Sequence, residues 1–254
     1  MSEVGTVDGD QLEAALADRG YARVSGLLSA ELVDSLRAAT DRAVADESLD
    51  FPPGDDQHGR VLFAPAHGGA FLDLLASDAV FGPIERLIGD DAILYTMTTS
   101  VLEPGSAGPI HRYHVDLDPA RGDGLALAVM VLLDRFDDHN GATEFLAGSH
   151  RCQPGDVDDT GPGKLLFGEP GDVCYFDPRI RHRSTTNRTE RPRRAVLAQM
   201  VRPWMKQRVD VAAMLDVEML EGRPSVVSRR LGLTSTPPRS RQEFLDRRRA
   251  RPWR

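Results

Sequence analysis

The sequence predicts a mainly β fold entered through helices, and three observations carry that prediction. After residue 92, short β-branched or apolar runs alternate with Gly, Pro, Asn and Asp turn signals, the spacing of a β-sandwich or barrel. Before residue 92, apolar residues recur at helical spacing. No internal repeat and no linker interrupts the chain before about residue 225. One domain over 1–224 with a C-terminal tail over 225–254 is therefore expected.

The elements follow in order. Residues 9–16 form a short amphipathic helix that stops at Gly20, and Tyr21–Val24 alternates as a brief strand. Ser29 caps a second helix in which Leu32, Leu36 and Ala39 share a face, running to about Asp46. Residues 47–69 are rich in Asp, Gly, Pro and His and read as a long loop, of the kind that often carries function. A helix over about 70–89 is expected to break near Gly82-Pro83. Strands are expected at 93–102, 125–133, 142–146, 165–167, 172–176 and 195–201.

Composition narrows the class of protein. The 254 residues carry a formal net charge of −8, with 41% hydrophobic and 28% charged residues, which excludes wholesale disorder. The acidic balance argues against nucleic acid as a partner. No apolar run spans a membrane, and the N-terminus carries no secretory signal, so a cytoplasmic protein is expected. Cys152 and Cys174 are too few for a disulfide framework, and Cys174 is expected to be buried and inert. The tail concentrates nine arginines against Glu243 and Asp246, and its default reading is a solvated basic terminus.

The chemistry centres on histidine. In an extended segment positions i and i+2 project together, so His114 and Asp116 present an imidazole and a carboxylate side by side. One more imidazole would complete a two-His-one-carboxylate set, which suits non-haem Fe(II). His182 is the best candidate. It follows a Gly171-Asp172 turn and a strand, and alternation turns its arginine neighbours Arg181 and Arg183 away from it. Arg193, on the returning strand, could clamp a carboxylate in bidentate fashion. His111 is a rival ligand that alternation places on the opposite face. His58 and His67 belong to the loop.

Four stretches together resemble the phytanoyl-CoA dioxygenase family. They are Gly20-Tyr21-Ala22-Arg23-Val24-Ser25-Gly26-Leu27-Leu28-Ser29, Tyr113-His114-Val115-Asp116, the run from Asn140-Gly141 to Gly148-Ser149-His150, and Gly171-Asp172-Val173 through His182, Asn187 and Arg193. The likeness covers about residues 11–205, with Ala147 where the family commonly has Pro. It implies a double-stranded β-helix, a cupin-like jelly roll, with N-terminal helices packed on one sheet. It implies that His114, Asp116 and His182 bind Fe(II) and that Arg193 holds the distal carboxylate of 2-oxoglutarate. It further implies that Thr98 lies near the cosubstrate or substrate, that Thr143 touches the cosubstrate, and that His150 is structural.

The implied activity is oxidation of a small molecule by O2, coupled to conversion of 2-oxoglutarate to succinate and CO2. The substrate would be a natural-product intermediate or an amino acid. Related halogenases have Gly or Ala at the carboxylate position; Asp116 fills it here, which favours hydroxylation or another oxidation. The interval from His114 to His182 is short for the family, so the insert that often covers the substrate is small. Residues 47–69, the 94–101 strand and the 117–124 turn are expected to line the pocket mouth, where Arg112 and Arg121 could meet an anionic group. Two other readings remain at this point: a jelly-roll binding protein without turnover, and a metalloenzyme that does not use 2-oxoglutarate.

Overall fold

Two antiparallel sheets face each other, and helices cover the outer side of the larger one. The computed structural model describes residues 8–48, 50–52, 55, 57–108, 110–117, 124–152 and 162–250. Arg121 lies outside them. The chain opens with α1 (Gly9–Arg19), β1 (Tyr21–Val24) and α2 (Ala30–Glu47), followed by α3 (Gly69–Leu75) and α4 (Asp78–Ile88). The strands are β2 (Ile93–Leu102), β3 (Ala126–Leu132), β4 (Thr143–Phe145), β5 (Lys164–Leu165), β6 (Val173–Phe176), β7 (His182–Ser184) and β8 (Arg193–Val201). Three short helices end the described chain: α5 (Val211–Met214), α6 (Ser225–Arg230) and α7 (Arg241–Ala250). The larger sheet has the order β1-β6-β3-β8-β2 and the smaller β5-β4-β7. None of the helices among the described residues is long and apolar enough to cross a membrane.

Strand alternation divides the core in two. From β3, Leu127, Val129 and Val131 pack against the helices, whereas Ala128, Met130 and Leu132 face the smaller sheet. β6 and β8 divide in the same way, with Val173, Tyr175, Val196 and Ala198 outward to the helices and Cys174, Phe176 and Ala195 inward. This alternation decides where Arg193 points. It shares parity with Ala195 and is paired in register with Leu102, so it lies on the inner face. Arg194 takes the outer face, where its Nε donates to Asp41 of α2 at 2.6 Å.

The helices follow their local signals. Ser29 accepts from the Leu32 backbone N–H at 3.3 Å, and Asp8 caps α1. Gly20 ends α1 at φ +84°, and a Cβ there would meet His150 Nδ1 at 2.5 Å and Ile180 Cδ1 at 2.9 Å. The opening stretch and the Gly-Ser-His turn are thus in direct contact. Asp172 ties the same region together, accepting from the Gly26 and Glu169 backbone N–H groups and pairing with Arg23.

Several expectations need correction. The break expected at Gly82-Pro83 falls instead between α3 and α4, at Ala76-Ser77, and Pro83 sits inside α4. Proline at 83 removes the N–H that would bond the Ala79 carbonyl. The Tyr175 hydroxyl reaches that turn from β6, donating to the Val80 carbonyl at 2.9 Å and more loosely to Ala79 at 3.4 Å.

The 47–69 stretch is not wholly a solvated loop. It contains a 3₁₀ turn, Ala64–His67, and Val61 is fully buried. Trp204 is 70% exposed. Nor does a solvated tail begin at 225. Val227 and Leu231 join the helical core, and Arg230 is fully buried between Glu85, Asp78 and the Leu75 carbonyl.

Candidate metal centre

His114 and His182 are locked together through the backbone. Each N–H donates to the other's carbonyl, at 3.1 and 3.0 Å, forming an isolated antiparallel bridge. The Pro178 carbonyl then accepts from the Asp116 and Leu117 N–H groups at 2.8 and 3.0 Å. These bonds hold the His-x-Asp segment in place although it is not part of a regular strand. The imidazole centroids lie 4.3 Å apart. His182 rests on Phe145 and Phe176 of the inter-sheet core and is 2% exposed, while Asp116 opens to solvent.

The three side chains together could hold a metal ion. His114 Nδ1–H donates to the Arg112 carbonyl and His182 Nδ1–H to the Ile180 carbonyl, both at 3.0 Å. In the neutral ring this bond leaves Nε2 as the free ligand atom, the tautomer a metal needs. Those atoms lie 3.8 and 3.9 Å from the two oxygens of Asp116, too far for hydrogen bonds. Burial lowers the pKa of His182, with the Asp116 carboxylate opposing, and so favours the neutral ring. Three ligand atoms thus converge within 4.8 Å of one another. A divalent cation would turn their mutual repulsion into attraction, and two imidazoles with one carboxylate are a donor set suited to Fe(II).

Arg193 supplies the other charge. It is 3% exposed and stacks over Phe136 at 4.4 Å. Its buried Nε has no hydrogen-bond partner, and no carboxylate lies within ion-pair distance among the described residues. Burial lowers its pKa to about 10, so it stays charged at neutral pH. Asn187 fixes the approach to it: its amide donates to the Leu102 and Arg191 carbonyls, both at 2.8 Å.

The remaining expected residues fall as follows. Thr98 is nearly buried, on the inner face of β2 opposite Leu197. Thr143 is also buried in the inter-sheet space, its hydroxyl directed at the Met130 sulfur at 3.6 Å. His111 stays on the surface, bonded to the Gly108 carbonyl. His150 packs beneath Gly20 and has its Nε2 against the Ala17 carbonyl, outside the site. His67 pairs with Glu47 and His58 with the Phe51 carbonyl. Cys174 is buried, which raises its pKa. The composition of the 47–69 loop gave no sign of Arg60, whose side chain feels the charge of Asp116.

Comparison with known proteins gives the geometry a family. The model for phytanoyl-CoA dioxygenase (PhyH) matches residues 16–195. A dioxygenase named af480 from Aspergillus fumigatus is 28% identical over 85% of this chain and 74% of its own length. A 2-aminoethylphosphonate dioxygenase from an uncultured bacterium is 24% identical over 70% of this chain and 76% of its own. Among solved structures, the epimerase SnoN in complex with Fe3+, alpha ketoglutarate and nogalamycin RO superposes with a TM-score of 0.64. It is 20% identical and covers 85% of this chain and 91% of its own. The fold is therefore the double-stranded β-helix of these enzymes. The chain belongs to the phytanoyl-CoA dioxygenase family and is an oxidoreductase of the Fe(II)- and 2-oxoglutarate-dependent class.

Proposed function

We propose that His114, Asp116 and His182 hold Fe(II), that Arg193 binds the distal carboxylate of 2-oxoglutarate, and that a small molecule is oxidised at the open side of the site. The observation that carries this reading is the convergence of two imidazoles and a carboxylate beside a sheet face bearing a buried arginine that has no ion pair among the described residues. When bound, the iron and 2-oxoglutarate supply oxidation by O2, with succinate and CO2 as coproducts. The protein's part is orientation and exclusion of water. The Arg112 and Ile180 carbonyls fix the two ring tautomers, Phe145 and Phe176 wall one side, and Arg193 offers a bidentate fork to a carboxylate. Thr98 and Thr143 line the same inter-sheet space and are assigned to the cosubstrate pocket.

The substrate proposed is a natural-product intermediate or amino acid, oxidised by hydroxylation or a related outcome. Support comes from the named activities of the relatives and from SnoN, an enzyme of nogalamycin biosynthesis. The test is Asp116→Ala. Bound Fe(II) should fall from one per chain towards zero at micromolar free metal, and succinate formation should drop to background. Full succinate formation in a metal-replete Asp116→Ala protein would sink the assignment.

A further inference from the structure

We propose that Arg60 forms an oxyanion-binding subsite at the mouth of the His114–Asp116–His182 site, so that the substrate oxidised there carries a carboxylate or phospho group. The inference rests on the oxygenase reading above and names the substrate class for it.

The placement of Arg60 follows from how its loop is pinned. The Val101 N–H donates to the Gly59 carbonyl at 2.9 Å, the Thr99 N–H to the Val61 carbonyl at 3.1 Å, and the Val61 N–H to Thr99 Oγ1 at 3.0 Å. Gly59 is required there, because a Cβ would stand 2.6 Å from the Val101 carbonyl. Val61 turns its side chain into the helical core. Its neighbour Arg60 is therefore directed to the other side of β2, the side of Thr98 and Ser100.

The electrostatics agree. Burial lowers the pKa of Arg60, the Arg208 charge lowers it further, and the Asp116 carboxylate opposes both, so Arg60 lies within the field of the metal site. Arg208 is exposed and follows Gln207, whose amide donates to the Leu94 and Leu231 carbonyls at 2.6 and 3.0 Å.

Several arginines of this fold have carboxylate partners. Arg179 pairs with Asp177, Arg194 with Asp41 and Asp134, and Arg229 and Arg230 with Glu85. Arg60 is half-buried, yet among the described residues its guanidinium has one side-chain hydrogen bond, to Gln57 Oε1 at 3.2 Å, and no ion pair. A half-buried cation within the field of a second cation is costly without an anion. Asp116 is not a free partner, since it belongs to the metal's donor set. An oxyanion on the substrate relieves the desolvation and the repulsion together, and the guanidinium fork fits either a carboxylate or a phospho group.

The test reads Arg60 directly. Arginine Nε–Hε resonances are recorded on the full chain with Zn(II) and saturating 2-oxoglutarate at constant ionic strength. Arg60 and Arg208 are assigned from Arg60→Lys and Arg208→Lys. Acetate, inorganic phosphate and acetamide are titrated separately. The expected result is a saturable millimolar shift of the Arg60 resonance with acetate, phosphate or both, and none with acetamide. An acetate-only response assigns a carboxylate substrate and a phosphate-only response a phospho substrate. No response to either anion, or an equal response to acetamide, overturns the proposal.

A second arm compares acids with their primary amides as promoters of 2-oxoglutarate consumption. Acids should be preferred, and Arg60→Gln should lower their kcat/KM ten- to hundredfold, mainly through KM, with partial rescue by Arg60→Lys. Preference for the amides overturns the proposal. The Fe(II)–2-oxoglutarate absorption band of the wild type reports separately on the oxygenase reading, so failure of that reading is not confused with failure at Arg60.

Discussion

Replacing Arg193 by methionine should make the ligand-free protein slightly more stable while abolishing its response to 2-oxoglutarate. Burial lowers the arginine's pKa to about 10, well below its ordinary value, which corresponds to roughly 3 kcal/mol of unfavourable charge burial. Stacking over Phe136 at 4.4 Å returns about 2 kcal/mol in a desolvated setting. The net is ~1 kcal/mol against the native arginine, and methionine keeps contact with the ring.

The sign holds across the working pH range. The folded-state pKa is depressed but stays near 10, so below about pH 9 the guanidinium is charged in both folded and unfolded chains and the cost is constant. Differential scanning fluorimetry of the Zn(II)-loaded proteins measures both effects. Arg193→Met should raise Tm by about 2–4 °C without 2-oxoglutarate. At a hundredfold excess over Kd, the cosubstrate should stabilise the wild type by about 2.7 kcal/mol and leave the variant unmoved. A ligand-free variant destabilised by about 3 kcal/mol or more would refute the reasoning, because that is the signature of breaking a buried ion pair. A retained 2-oxoglutarate response would refute the assignment of the cosubstrate site.

Two further substitutions test how the fold supports the site. Arg230→Met should cost about 3 kcal/mol in urea denaturation, the opposite sign to Arg193→Met, because Arg230 is fully buried against Glu85. Stability equal to wild type would show that this pair does not anchor α6. Gly20→Ala should cost about 2–4 kcal/mol, from a side chain at φ +84° and from contacts with His150 and Ile180, and lower Tm by about 5–15 °C. It should also weaken Fe(II) binding measurably, since the Ile180 carbonyl orients His182. An unchanged Tm would contradict the packing described here.

Local signals in the sequence located much of the architecture. Strand β2 occupies the expected 93–102, and the strands on either side of His182 lie where turn residues bracket apolar runs. The i, i+2 rule placed His114 and Asp116 together even though that segment is held by a bridge and two bonds to the Pro178 carbonyl rather than by a regular strand. What local patterning misses is partnership at long range. Pro83 reads as a helix break because nothing nearby reveals that Tyr175 will reach the Ala79 carbonyl it frees. Residues 225–231 read as solvated because a charge count cannot see Glu85 and Asp78 waiting for Arg230. The 47–69 composition says loop, while the pairing of Gly59 and Val61 with β2 makes part of it a strap beside the site.

The central claim is that the two histidines and Asp116 form one centre with Arg193 as its cosubstrate anchor. Anaerobic addition of Fe(II) and then 2-oxoglutarate, followed by visible absorption, tests it most directly. The account predicts a weak charge-transfer band in the wild type that His182→Ala and Arg193→Met both lose while remaining folded. A folded wild type that binds Fe(II) yet shows no band, or a band unchanged in the two variants, would contradict it.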